Sequence, residues 1–135
     1  MASRYPNQPQ PLWNLPGGRQ RHGELLEEAL AREFVEETGL RAHVERLLYV
    51  SESYDRTTGA HFLNTTFAVA APGEPRLTGH DAHVVELAWV PPAELAARLK
   101  VAVVREPLLA TLRGEARRYF SFADAGITIE FADPS

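Results

Sequence analysis

The strongest periodic signal in the chain runs from Glu24 to Thr38. The stretch contains neither Gly nor Pro and is rich in Leu, Ala and Glu, which lose little side-chain freedom in a helix. Leu26, Leu30, Ala31 and Phe34 fall on adjoining arcs at the helical period, so one side can bury and a helix is predicted. Gly39 stands where a left-handed residue ends such a helix. Upstream, Pro16-Gly17-Gly18 is a turn signal behind a short predicted strand, Trp13-Asn14-Leu15. Residues 1–12 hold three prolines and few apolar side chains, and read as an extended arm.

Beyond Gly39 the composition shifts toward strand formers. Arg41–Ser53 (RAHVERLLYVSES) is a predicted strand, Asp55–Gly59 a loop, and His61–Ala71, rich in Phe, Thr and Val, its antiparallel return. Gly73–His83 is loop-like, Val84–Val90 a further strand, and Ala93–Leu99 a short helix behind Pro91-Pro92. Pro107 is read as opening a third helix through about Arg117. The tail alternates Phe120, Phe122, Ile127, Ile129 and Phe131 around Asp124-Ala125-Gly126, which predicts a terminal hairpin. No internal repeat or linker divides the chain, so the expectation is one α/β domain over residues 13–135 behind the arm.

Composition narrows the function classes. With 135 residues, 44% of them apolar, the chain can bury one core. A net charge of -4 argues against a sequence-specific nucleic-acid binder, which would carry a basic face. It does not exclude a nucleotide substrate, since a bound cation supplies positive charge locally. There are no cysteines, so disulfides and thiolate metal sites are impossible. No apolar run approaches the roughly 20 residues of a membrane span, and residues 1–16 do not resemble a signal peptide. The expectation is a cytoplasmic protein that does not enter the membrane.

The candidate chemistry sits at the end of the helix, in Arg32-Glu33-Phe34-Val35-Glu36-Glu37-Thr38-Gly39. At the helical period, Glu33, Glu36 and Glu37 share one arc of about 100°. Like charges at that spacing repel, and the macrodipole disfavours acids near a helix C-terminus. A divalent cation such as Mg²⁺ or Mn²⁺ would reverse the balance, because it prefers hard oxygen ligands. A solvated acidic face is the alternative, softened by the i,i+4 pairs Glu28–Arg32 and Arg32–Glu36. Helix geometry alone leaves both readings open.

The flanking residues add a resemblance. Gly18, Glu24, Arg32, Glu33, Glu36, Glu37 and Gly39, closed by Leu40, fit the Nudix box G-x5-E-x7-R-E-U-x-E-E-x-G-U. Phe34 stands where Leu, Ile or Val is more usual, which keeps the position apolar. Trp13-Asn14-Leu15-Pro16-Gly17-Gly18 resembles the W-x-L-P-G-G lead-in to this box. Glu86–Leu95 resembles the E-x-x-W-V-P-x-x-E-L segment that follows the catalytic half. The resemblance covers about residues 13–95.

It implies a Nudix (MutT-like) α/β/α sandwich around a mixed sheet, and a metal-dependent hydrolase. The bond cleaved would be the pyrophosphate linkage of a nucleoside diphosphate derivative such as ADP-ribose, or of a nucleoside di- or triphosphate. By the resemblance, Glu36 and Glu37 would ligate Mg²⁺ or Mn²⁺, with Glu33 a further ligand or the base. The carbonyl of Gly17 or Gly18 could complete the shell, Arg32 would orient the carboxylates, and Glu24 would tie the loop to the helix. Arg19, Arg21, Tyr54 and Arg56 are candidate substrate contacts. A catalytically weak nucleotide-binding module is the alternative; loss of a box glutamate would favour it, and all three are present.

Two departures carry expectations of their own. Relatives of this type place two strands ahead of the W-x-L-P-G-G segment, whereas only twelve residues precede it here. The N-terminal strands are therefore expected to be shortened or missing, with the exposed edge covered by the Tyr119–Phe131 hairpin or by a second chain in a homodimer. Asp81-Ala82-His83-Val84 stands where many relatives carry a D-A-E-V-like run. That makes His83 a candidate base or further ligand, against the alternative of a solvent-facing loop histidine.

Overall fold

The computed structural model describes residues 1–6 and 8–124. The elements in chain order are β1 (Ala2–Ser3), β2 (Leu12–Trp13), α1 (Leu26–Thr38), β3 (His43–Tyr54), β4 (His61–Ala70), β5 (Val84–Glu86), α2 (Pro92–Arg98), α3 (Ala102–Leu112) and β6 (Tyr119–Ala123). They form two three-stranded sheets, ordered β2-β1-β5 and β4-β3-β6, with helices against them: the α/β architecture expected, its strands shared between two sheets. Among the described residues, no helix is long and apolar enough to cross a membrane.

The first sheet corrects the reading of residues 1–12. Ala2 and Ser3 are extended, as expected of an arm, but they are buried and paired on both sides. Ala2 lies opposite Trp13 and Glu86, and Ser3 opposite Leu12 and Val84, all antiparallel. The N-terminal strands are short, two residues each, yet β1 is the central strand of its sheet. The expected strand Val84–Val90 shrinks to Val84–Glu86 for the same reason, because a two-residue partner offers pairing for no more.

The second sheet is a long hairpin plus one parallel strand. β3 and β4 pair from His43↔Ala70 to Tyr54↔His61, and the register shifts between Val44 and Arg46 and between Leu47 and Tyr49. The tight loop is closed by the Asp55 N–H on the Ala60 carbonyl at 2.9 Å and by left-handed Gly59. β6 runs parallel to β3, from Val50↔Tyr119 to Tyr54↔Ala123. The expected hairpin partner of β6 lies outside the described residues, and β6 itself covers β3 rather than an edge of the first sheet. Tyr49, Ala110 and Phe120 form the core between β3, α3 and β6, with the two rings edge-to-face at 5.7 Å.

Helix α3 begins five residues earlier than expected and contains Pro107 in its interior. A proline there removes one helical hydrogen bond, so it is a poor start signal only when tertiary packing overrides it. Pro107 is fully buried, and Ala102–Glu106 are already helical ahead of it. The helix ends at Leu112, short of Arg117, because left-handed Gly114 turns the chain. Gly114 N–H bonds the Thr111 carbonyl at 3.0 Å and Glu115 N–H the Ala110 carbonyl at 3.1 Å, the paired bonds of a Schellman end.

Helix α1 matches its expected span to within two residues. Glu28 accepts the Leu25 N–H at 2.9 Å, and Glu27 and Glu28 place negative charge at the favourable end. Ala29, Phe34 and Thr38 are its buried residues, while Leu26 stays exposed. Gly39, at φ 73°, closes it with its N–H on the Val35 carbonyl at 2.9 Å.

Candidate active site

The C-terminal half of α1 meets two loops. The turn at Pro16–Gly18 covers one side of the acidic arc, and the segment Arg76–Asp81 covers its end. The second contact follows from helix chemistry, since the last carbonyls of a helix need donors from elsewhere. Arg76 N–H bonds the Thr38 carbonyl at 2.9 Å, and the Thr78 hydroxyl donates to the Glu36 carbonyl.

Each glutamate has a different surrounding. Glu37 lies under the glycine turn and accepts the Gly17 N–H on Oε2 at 2.9 Å. Burial pushes its carboxyl up to about 8 against that hydrogen bond, and the nearby charges of Glu33 and Asp81 add to the rise. Glu33 sits against Gly18 so closely that a Cβ there would lie 2.4 Å from its Cδ. A larger residue at position 18 would therefore displace the Glu33 carboxylate from where it sits. Glu36 has His80 Nε2 at 3.3 Å from its Oε2.

Arg32 ties the group together. It grips Glu24 with two nitrogens, at 2.7 and 3.0 Å, and reaches Glu33 at 2.8 Å and Glu36 at 3.3 Å through Nη1. Its Nη2 also donates to the Arg19 carbonyl at 3.1 Å, fixing the loop that carries Gly18. The Arg32 hydrogen bonds hold the Glu24 carboxyl at about 2, helped by the Arg21 N–H at 2.8 Å. In turn these carboxylates raise the guanidinium above its ordinary value.

The donor set fits a hard divalent cation: three carboxylates and a glycine turn that lets backbone oxygens approach. The burial and like charges that destabilise ionised Glu37 are what such an ion would offset. Among the described residues, no three acidic or histidine side chains converge in the arrangement of a formed metal site. The salt bridges explain this, since Arg32 holds Glu33 and Glu36 while Glu37 turns to Gly17.

Not every sequence candidate lies here. Gly18, Arg32, Glu33, Glu36 and Glu37 come together, and the Arg19 and Arg21 backbone joins them through Arg32 and Glu24. His83 is drawn toward the N-terminal segment instead: its Nδ1 is 3.1 Å from the Arg4 carbonyl and its ring stacks on Tyr5. Tyr54 and Arg56 stand at the far end of β3, Tyr54 edge-on to His61 and Arg56 paired with Asp124 at 3.4 Å. Thr78 is the residue that sequence reasoning left without a role, and it meets Glu36 together with His80. A small cleft between Glu37, Leu77, Thr78, Gly79, Asp81 and Val84 marks where that loop meets the helix. The one signal was the polar character of Thr78–Asp81 next to the D-A-x-V run.

Comparison with known proteins points the same way. The NUDIX domain family model matches residues 1–112. The chain is 42% identical over 72 residues to an ADP-ribose pyrophosphatase of Methanocaldococcus jannaschii, a match covering 53% of this chain and 43% of that protein. It is 34% identical over 105 residues to phosphatase NudJ of Shigella boydii, covering 73% of this chain and 62% of the relative. The chain thus spans less than two thirds of the length of these curated relatives. Among solved structures, a NUDIX hydrolase from Nitrosomonas europaea superposes with a TM-score of 0.69 at 24% identity, over 87% of this chain and 80% of the other. The E. coli ORF135 protein superposes with a TM-score of 0.63 at 28% identity, over 84% and 77%.

Proposed function

The chain belongs to the NUDIX domain family, and on that premise we propose that it hydrolyses the pyrophosphate linkage of a nucleoside diphosphate derivative, with α1 as its metal-binding element. The observation that carries the reading is the carboxylate arc itself. Glu37 is pushed up by burial, Glu33 is pressed against Gly18, and Glu36 is joined to Glu33 through Arg32. A solvated acidic face has no need of a glycine shaped to one glutamate or of an arginine shared among three.

Divalent metal ions are general in this family, and Mg²⁺ or Mn²⁺ is our choice because every donor is a hard oxygen. Glu36, Glu37 and Glu33 would hold the ion, together with the Gly18 carbonyl. When bound, it neutralises pyrophosphate oxygens and lowers the pKa of the attacking water. The chain's own residues do the rest. Arg32 orients Glu33 and Glu36, Glu24 holds Arg32 in place, and the Gly17 N–H fixes the Glu37 carboxylate. Glu33 is our assignment for the group that takes the water proton, because His83 is engaged by Arg4 and Tyr5. Arg19 and Arg21, on the loop ahead of α1, are our assignment for the phosphate contacts, whereas Tyr54 and Arg56, at the far end of β3 against His61 and Asp124, are given none. ADP-ribose, for which the archaeal relative is named, sets the first substrate to try.

The test is a panel of ADP-ribose, nucleoside diphosphate sugars and nucleoside triphosphates, assayed with Mg²⁺ and Mn²⁺. Glu36→Gln and Glu37→Gln should each lower kcat/KM by roughly 100-fold or more, since each removes charge from the site while keeping its shape. Nucleotides that bind without turnover would instead favour a non-catalytic module, and variants as active as the parent would sink the assignment.

A further inference from the structure

A groove of about 390 Å³ lies where the end of α3 meets β3, and it shares no lining residue with the acidic helix. Arg46, Arg117 and Arg118 line it together with Leu48, Gly114 and Glu115. Among the described ion pairs none involves these three arginines. The acid lining the groove, Glu115, is gripped by Arg113 at 2.7 and 2.9 Å. Among the described residues, three cations that form no ion pair are thus gathered in a chain whose net charge is -4.

Local structure builds the groove. Gly114, at φ 82°, turns the chain back from α3 toward β3. The Val50 N–H then takes the Arg118 carbonyl at 2.9 Å, aligning the segment with the sheet. Leu48 has no residue opposite it on β4, because the register shifts there, and its carbonyl accepts Arg118 Nη1 at 3.3 Å. Arg117 lies over the Phe120 ring at 4.6 Å and donates Nε to the Tyr119 carbonyl at 2.9 Å. A guanidinium has more donors than either backbone bond uses, so fixing the stems leaves capacity for a ligand.

Arginines beside a helix C-terminus often serve its unsatisfied carbonyls. Here the Thr111 and Ala110 carbonyls are already taken by the Gly114 and Glu115 N–H groups. The helix end contributes about half a negative charge against three whole positive ones. Three like charges drawn together in this way repel one another unless an anion enters.

We infer that this groove binds a small oligophosphate anion at a site separate from the acidic helix. Its size and its three guanidinium groups exceed what one phosphate can occupy, and their summed positive charge favours an anion that carries several negative charges. Free polyphosphate and the phosphate chain of a nucleotide share this chemistry. The experiment is calorimetric titration of the metal-stripped full chain, in chelator, with tripolyphosphate, with a nucleoside triphosphate and with a short single-stranded oligonucleotide. Tripolyphosphate should bind, and Arg46→Glu should weaken it about tenfold or more, with Arg117→Gln as a second reporter. Glu36→Gln should not weaken it. A nucleoside triphosphate binding more tightly than tripolyphosphate with the same arginine dependence places a nucleotide in the groove; equal affinities assign recognition to the phosphates alone. No binding by the parent, or binding that survives both arginine changes, overturns the inference. An oligonucleotide that binds far more tightly than either small anion, with the same dependence, overturns its restriction to small ligands.

Discussion

Around Arg32 the chain gathers more negative charge than one guanidinium can offset; around Arg46 it gathers positive charge that, among the described residues, forms no ion pair. The first arginine is half-buried and shared among Glu24, Glu33 and Glu36. The second is exposed on β3, at a register shift, beside Arg117 and Arg118. Both arrangements cost energy in isolation, because like charges are held together. They differ in what must be exact. The acidic site depends on directions, since the same fork meets several carboxylates at 2.7–3.3 Å. The groove depends on the sum of its charges.

Substituting lysine for each arginine separates these two uses and gives the largest contrast. An ammonium keeps the charge but cannot grip Glu24 with two nitrogens while reaching Glu33 and Glu36. Arg32→Lys should therefore lower kcat/KM roughly 100-fold, in line with the loss of a group that orients metal ligands. Arg46→Lys should change tripolyphosphate affinity by no more than about threefold, because lysine binds phosphate as a point charge. Steady-state kinetics and titration calorimetry read the pair. An Arg32→Lys protein with parental kinetics would show that orientation by this fork is dispensable.

Much of the acidic site was legible in the sequence because it is local. The glycine turn, the helix, its left-handed end at Gly39 and the order of the glutamates lie within Gly17–Leu40, where periodicity and the box agree. The β3–β4 hairpin was legible for the same reason, as neighbouring strands joined by a short loop. What escaped depends on distant pairing. Ala2–Ser3 looks like part of a proline-rich arm and becomes a central strand only because Val84–Glu86 arrives beside it. That pairing also carries His83 to Arg4 and leaves His80 beside Glu36. Pro107 reads as a start signal, and only burial of its ring against the rest of the fold keeps it inside α3. The arginine groove needs the end of α3 and an irregular stretch of β3 to meet, which no local pattern announces.

Two glycines sharpen the contrast at a smaller scale. At Gly18 the backbone is not left-handed, and an added methyl meets only the movable end of Glu33. Gly18→Ala should leave the melting temperature nearly unchanged while kcat/KM falls about tenfold, because Glu33 is pushed off its position. At Gly114 there is open space around a Cβ, but φ is 82°. Gly114→Ala should instead cost roughly 1 kcal/mol of stability through the backbone alone. Thermal melts alongside kinetics distinguish the two, and a Gly18→Ala protein of unaltered activity would detach Glu33 from the reaction.

The smallest effect concerns how the acidic site is held when its charges are removed. Arg32 keeps Glu24 at about 2, below the ordinary carboxylate range of about 4.3. A folded-state value below the unfolded one means that the ionised carboxylate favours the fold. That contribution is present above about pH 4.5 and is lost as pH falls toward 2. Glu24→Gln removes the titrating group but keeps its length, so the parent should melt above the variant at about pH 6. The gap should narrow steadily toward about pH 3. Because Glu24 is only partly buried, solvent screening keeps the shift in melting temperature small. A gap of constant size across that range would mean that Glu24 serves Arg32 through neutral hydrogen bonding, and that the fork is positioned by Glu33, Glu36 and the Arg19 carbonyl instead.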